Sequence, residues 1–476
     1  MAITIGPIIG LVTGTSARVL FETNADGGVA VELRRGAAVA ASATVAMKRL
    51  VPRATTLTGL SPGVRYRLTL RELRDGEKRE GSLRTPDTAG SVFHVAAVSC
   101  NQIMQETPAS GWSRLSKRIE DQKAPIDVLL HIGDQVYGDA IRGHGKSTFT
   151  ECVEYLSTAP RGRTSWPSLV PWVTEQYRAL YRSWWSVPAV AEVLANVSNL
   201  MIWDDHEVSD DWGDDNKFAD PKLPQHFVAQ GAWRAFHEYQ RQLWDEGAAA
   251  RPIGAPECFH QTIGDVGLLF LDLRGGRGFS IYDRQARRPR TTTPYLGPAQ
   301  WKLVRAALSG PLRNARLLIV ACPVPLAYIG PDWADAYPLQ FEDDVRGQWS
   351  YRLNQPEQLA LMRVLFNWRD ANPRTEIAIV AGDVHLGART AIERVSDGER
   401  IVQLITSPIH RAPFSSIHYG ILKGFIAGSP SAGLGTRPLP SEFTWSSTNI
   451  VNRPNYGVLS ADLEPSGRPT IAASLG

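Results

Sequence analysis

The sequence predicts a layered α/β domain preceded by an all-β one. The first observation is residues 1 to about 89, where the runs ARVLFET, VAVELRR and RYRLTLREL are short, β-branched and partly alternating, with turns such as NADGG and RDGEK between them. The second comes after Val92, where short apolar runs close on polar residues: VFHVAAVSC, DVLLHIGD, LMIWDDHE, LLFLDLR, RLLIVACP and EIAIVAGDVH. Such runs suit strands buried on both faces. The third is that helical stretches (AWRAFHEYQRQLWDE, GPAQWKLVRAALSG, PEQLALMRVLFNWRD) separate them, which indicates α/β layering.

Each element has its own reason. In TLTGLSPGVRYRLTL, a Leu-x-Pro-x-x-x-Tyr pattern marks a β-sandwich corner with Tyr66 reaching back to backbone, so the first segment is similar to a fibronectin type III module. TPDTAG reads as a linker, giving expected domains at 1–89 and 90–476. NYGVLSADLEPSGRPTIAASLG reads as two strands around a turn. The stretches 141–170, 275–295 and 327–350 read as long loops, of the kind that shape or cover a site.

Composition narrows the function. With 476 residues, 43% hydrophobic and 21% charged, the chain is an ordinary globular protein. A net charge of +3 argues against a dedicated nucleic-acid binder. Cys100, Cys152, Cys258 and Cys322 form no CxxC pair, so a reducing compartment is expected. The start MAITIGPIIGLVTGTSARV shows neither a basic n-region nor a membrane span, and a cytoplasmic location is expected. No G-x-G-x-x-G follows the first buried strand, which weighs against dinucleotide binding.

The chemistry sits at the strand ends, where Cys100, Asp134, Tyr137, Asp205, His206, Asp272, Arg274, Asp383 and His385 gather. Ligands of open α/β sheets collect beyond such ends. Gly133 lets the chain turn so that the Asp134 carboxylate points off the strand, with Tyr137 able to bend back. Asp204, Asp205 and Glu207 around His206 are costly to bury unless cations neutralise them. Alternation would set Asp383 and His385 on one side of an extended segment. Cys100, in a turn that reads as exposed, is a credible thiolate ligand, whereas Cys322 reads as inert core. Arg274 could grip phosphate oxygens or simply pair with Asp272, and Arg277 is a weaker candidate. His144, His237 and His260 read as surface or core fillers.

As a set, SCN at 99–101, HIGDQVYGD at 131–139, WDDHEV at 203–208, LDLR at 271–274, LG then QW at 296–301, and AGDVH at 381–385 resemble the alkaline phosphatase D family of binuclear metallophosphoesterases. The resemblance implies a four-layer αββα sandwich and hydrolysis of phosphoric esters by a metal-activated water. It implies Cys100, Asp134, Tyr137 and His385 as ligands of Fe³⁺. Asp134 would bridge to a second divalent ion (Ca²⁺, or Mn²⁺, Mg²⁺ or Zn²⁺) with Asp205 and Asp383 as further ligands. His206 and Arg274 take catalytic positions, and the partner is a small phosphate ester. Independently, carboxylate, phenolate and thiolate donors suit a hard ferric ion, and an oxygen-rich neighbour suits Ca²⁺, Mn²⁺ or Mg²⁺. Two departures stand out: Asp210-Asp211 replaces the family's Asn-Asn, and the twin-arginine start is missing. Rival readings are a phosphodiesterase or phospholipase of the same fold, and a non-catalytic metal-stabilised binding protein.

Overall fold

A computed structural model describes residues 1–87, 92–103, 111–121, 123–160, 162–213, 216–277, 282–283, 288–289, 294–330, 347–351, 353–427, 442–464 and 467–476. The first part holds β1 (Ile3–Val12), β2 (Ser16–Thr23), β3 (Gly27–Arg35), β4 (Ala38–Met47), β5 (Arg53–Thr58), β6 (Arg65–Glu72) and β7 (Lys78–Arg84). They form two sheets, ordered β1-β2-β5 and β4-β3-β6-β7. Strand alternation builds the core between them. Along β6, Tyr66, Leu68 and Leu70 point inward against Val19, Phe21 and Val31, while Arg65, Arg67 and Arg71 face water. The Tyr66 hydroxyl accepts the Ser61 N–H at 2.8 Å, as the corner pattern predicts.

The second part runs β8 (Val92–Val98), α1 (Gly111–Glu120), β9 (Val128–Ile132), α2 (Thr148–Ser157), α3 (Trp166–Trp185), α4 (Pro188–Leu194), β10 (Asn199–Ile202), α5 (Pro224–Tyr239), β11 (Phe259–Ile263) and β12 (Val266–Phe270). It continues through a two-residue ribbon, β13 (Tyr282–Asp283) and β14 (Arg288–Pro289), then α6 (Gly297–Ser309), β15 (Leu317–Cys322), α7 (Gln355–Ala371), β16 (Glu376–Ala381), β17 (Gly387–Arg394) and β18 (Arg400–Ile405). It ends with α8 (Ser416–Ala427), β19 (Phe443–Val451), β20 (Gly457–Asp462) and β21 (Thr470–Leu475).

One sheet has the order β10-β9-β8-β20-β21, the other β11-β12-β15-β16-β18-β17-β19. Within the first, β8, β9 and β10 run parallel. Within the second, β12, β15, β16 and β18 run parallel. Side-chain alternation gives each strand of the larger sheet two apolar faces. Leu268, Ile319 and Val380 share a core with Val95, Leu129 and Ile132 of the smaller sheet. Leu269, Val320 and Ile379 face the other way, onto Val304 of α6 and Leu361 and Leu365 of α7. Full burial of each such side chain stabilises by about 1.5–3 kcal/mol.

The stretch 141–170 is not the loop its sequence suggests. It contains α2, capped by the Ser147 hydroxyl accepting the Thr150 N–H at 3.1 Å, and the start of α3. Much of 275–295 and 327–350 falls outside the described residues. Among the described residues no helix is long and apolar enough to cross a membrane.

Candidate active site

The carboxyl ends of the parallel strands in both sheets open toward one cavity of about 580 Å³. Asp134 follows β9, Asp205 follows β10, Arg274 follows β12, and Asp383 follows β16. Seven of the eight candidate residues line this cavity: Asp134, Tyr137, Asp205, His206, Arg274, Asp383 and His385. The eighth, Cys100, lies behind it, its Sγ donating to Asp134 Oδ2 at 3.3 Å.

The turns that deliver these side chains are backbone-strained. Cys100, Asp134, Asp383 and His385 all have left-handed φ, between 54° and 63°, and Asp211 has 60°. Non-glycine residues avoid this region at a cost on the order of 1 kcal/mol each, and such outliers persist where the surroundings over-determine them. This corrects one sequence expectation. Asp383 and His385 converge through a left-handed turn, not by alternation along an extended segment. Gly133, with φ of 84°, permits the corresponding turn after β9, where an added Cβ would lie 2.5 Å from Asp204 Cβ.

Glu207 ties the loops together. Its carboxylate accepts the N–H groups of Asp134 at 3.0 Å, Gln135 at 2.8 Å and Asp204 at 2.9 Å, and the Gln240 amide at 2.9 Å. Asp272 plays a similar part. It accepts the N–H of Arg274 at 3.0 Å, Gly275 at 2.8 Å and Glu257 at 2.7 Å, and the Trp203 indole at 3.0 Å. The Arg274 guanidinium turns away from Asp272, so the simple pairing of the two does not occur. Its Nε bonds Asp204 Oδ1, and its terminal nitrogen lies 3.4 Å from Asp205 and 3.6 Å from Asp383.

The acids are frustrated as they stand. Burial, followed by the neighbouring Cys100, pushes Asp134 well above the usual carboxylate range. Burial pushes Asp204 to about 7, even against the Arg274 guanidinium. Burial and the adjacent Asp204 push Asp383 to about 8. Asp205 alone is lowered: burial opposes its charge, but Arg274 and His206 outweigh it. Asp134 Oδ1, Asp204 Oδ2, Asp205 Oδ1 and His385 Nδ1 are buried without a hydrogen-bond partner. Unsatisfied buried oxygens beside raised carboxylates fit a place for cations. Three groups of donors lie close enough to share an ion: Asp134, Asp205 and His206; Asp204, Asp205 and Asp383; Asp205, Asp210 and Asp211.

His206 stacks on Tyr137 with ring centroids 4.1 Å apart, and its Nδ1 lies 2.8 Å from Asp139 Oδ1. Burial opposes its charge. The carboxylates of Asp205, Asp139 and Asp134 more than compensate and hold its pKa well above the usual histidine range. Tyr137 also donates its hydroxyl to Asp134 Oδ2 at 3.3 Å.

Other expectations resolve unevenly. Cys100 is fully buried, not exposed, and burial raises its thiol to about 11. Its closeness to Asp134 therefore supports a ligand role, and its exposure does not. Neither Cys100 nor His385 falls in the three donor groups. Cys322 is buried core, with Sγ 3.0 Å from the Val324 carbonyl. Arg277 lies over the Tyr295 ring at 4.3 Å and does not line the cavity. His144 pairs with Glu151 at the surface, His237 pairs with Glu257 in the core, and His260 is half-buried on β11.

Sequence reasoning missed Asp139, Glu207 as the loop tie, Gln348, which donates to Asp383 at 3.1 Å, and Arg411 on the cavity wall. Asp139 had a signal, since it closes the same HIGDQVYGD run that supplies Asp134.

The solved structure of PhoD is similar over 99% of this chain and 88% of that one, at 15% identity and a TM-score of 0.64, which shows a shared fold. GAP50, the anchor in the inner membrane complex of Plasmodium, is similar over 81% of this chain and 84% of that one, at 10% identity and a TM-score of 0.33, too low to bear on the argument. No curated protein sequence matches. A model of the PhoD-like phosphatase family matches residues 93–429, a span that contains every residue lining the acid cavity, and the chain belongs to that family.

Proposed function

We propose that this chain hydrolyses small phosphoric esters at a pair of cations held between its two larger sheets. One observation carries the reading. Three carboxylates from separate strand ends (Asp134, Asp205 and Asp383) line one cavity with Asp204 beside Asp205 and Asp383, and Asp134, Asp204 and Asp205 each keep an unpartnered buried oxygen. In this reading Cys100, Asp134, Tyr137 and His385 would hold a ferric ion. Asp134, Asp205 and Asp383 would hold a second, divalent one (Ca²⁺, or Mn²⁺, Mg²⁺ or Zn²⁺). When bound, such ions polarise phosphoryl oxygens and acidify water.

The chain's own residues then have definite tasks. Arg274 offsets the acid cluster and offers its fork to phosphoryl oxygens. His206, kept protonated by Asp139 and Asp205, donates a proton from its ring to the departing oxygen. Tyr137 fixes the plane of that ring by stacking. The stacking of α6 and α7 on the larger sheet fits a four-layer αββα arrangement. The order of the first seven strands and the Tyr66 corner fit a fibronectin type III-like module spanning 1–89, with the catalytic unit at 90–476. A cytoplasmic location remains part of the proposal.

Metal analysis of protein purified without chelators, with turnover of p-nitrophenyl phosphate and bis-p-nitrophenyl phosphate, tests the reading. Asp134→Asn should abolish both activities. Unchanged hydrolysis in that variant, or full activity in metal-free protein, would refute it.

A further inference from the structure

The acid cavity has a second, apolar wall that the proposed chemistry does not use. After β18 the chain passes Arg411 and Phe414 and enters α8. On α8, His418, Ile421, Leu422 and Phe425 line the cavity, at a spacing that puts them on one helical face, three of the four apolar. Ile329, before α7, lines the same cavity. Phe414, Leu422 and Phe425 are only half-buried, and they pack on a small cluster that includes the fully buried Ile426, Leu386 and Ile405. Ile421 is 45% exposed. The helix is thus anchored from behind by Ile426, and its neighbouring face is presented to the space beside the carboxylates.

Arg411 stands between the two ends. It lines the cavity, and its guanidinium lies 5.7 Å from the Phe414 ring centroid. A ligand with an anionic head and a hydrocarbon or aromatic body would match both ends of this space. A small, fully polar ester would leave the α8 face wet. Apolar surface beside water is the term such a ligand would relieve.

We propose that α8 makes this site selective for phosphoric esters bearing an apolar organic group, with Phe414, Leu422 and Phe425 forming the surface on which that group lies. The proposal deepens the hydrolase reading and rests on it only for turnover, because the binding preference is measurable without catalysis.

The test is a series of non-hydrolysable methyl-, butyl- and octylphosphonate, kept below micelle formation and titrated calorimetrically into metal-replete protein. Affinity should rise along the series, with octylphosphonate bound at least about tenfold more tightly than methylphosphonate. Leu422→Ser and Phe425→Ser should shrink that ratio to within about twofold of unity. The wild-type series stands alone if either variant fails to fold. Equal affinities across the wild-type series, or no binding of octylphosphonate, would overturn the proposal. Turnover of methyl and butyl phosphate separates the two readings. A phosphonate preference without hydrolysis of any ester removes the hydrolase reading and keeps the apolar wall. Hydrolysis with no dependence on chain length removes the wall and keeps the hydrolase.

Discussion

The Glu207 carboxylate accepts the backbone N–H of Asp134 at 3.0 Å, joining two turns that lie 73 residues apart in sequence. The same carboxylate holds the N–H groups of Gln135 and Asp204. A buried N–H left without its acceptor costs about 1–3 kcal/mol. Glu207→Ala orphans three of them, so its melting temperature should fall by roughly 3–10 °C and its metal content should drop. Glu207→Gln keeps one acceptor oxygen and should fall between wild type and Ala. Calorimetry with metal analysis checks the order. An Ala variant as stable and as metal-rich as wild type would contradict it.

Asp139 lines the cavity and holds His206, whose Nδ1 lies 2.8 Å from its Oδ1. Asp139→Asn removes one of the carboxylates that raise the His206 pKa, so that pKa should move down. The protonated ring is the form assigned to proton donation. The alkaline limb of the kcat profile should therefore move to lower pH, with kcat at pH 8 reduced on the order of 10–100-fold. A change in KM alone, with an unmoved pH profile, would assign Asp139 a purely structural part.

Stripping cations should expose the frustration of the acid cluster. Asp204 at about 7 and Asp383 at about 8 lie above the ordinary 3.8, so each stabilises the fold while protonated and loses that contribution as pH rises through its folded value. Chelator-treated protein should thus be less stable at pH 9 than at pH 6. Metal-replete protein should melt higher at both and show a smaller difference, since cations bind the folded form. Ferric occupancy of the Tyr137 group would give a visible absorption band that Tyr137→Phe removes. Colourless, iron-free and active wild-type protein would exclude the ferric assignment.

Far from the site, Asp127 accepts the His94 N–H at 2.9 Å and is raised to about 6, mainly by burial. Its contribution is intact below the ordinary 3.8 and is lost as pH rises through 6. Asp127→Asn keeps an acceptor but cannot ionise. The variant should be more stable than wild type at pH 8, by on the order of 1–3 kcal/mol, with the advantage gone at pH 3.5. Denaturant melts at the two pH values decide it.

The fold was legible where burial leaves a local trace. β9, β12, β15 and β16 read as apolar runs because both their faces are covered, and the residue ending each run then stood out. α8 was not legible: SIHYGILKGFIA carries two glycines and no clean polar face, so nothing local separates it from a loop. Asp134, Asp205 and Asp383 were found because carboxylates at strand ends are conspicuous. Glu207 was overlooked as an organiser because its partners are backbone N–H groups, which look the same in every sequence. The turn at Asp383 and His385 was misjudged for the same reason, since left-handed φ at a non-glycine residue is imposed by tertiary surroundings.

The place of β20 has a consequence for how the protein comes into being. β20 is the neighbour of β8, pairing Gly457 with Ala97 through Asp462 with Val92. On the ribosome, the strand that leads to Cys100 can pair with β9 on one edge but waits on the other for a partner made some 360 residues later. The smaller sheet cannot be completed on the nascent chain, and its closure belongs to the moments after residue 462 has emerged from the exit tunnel.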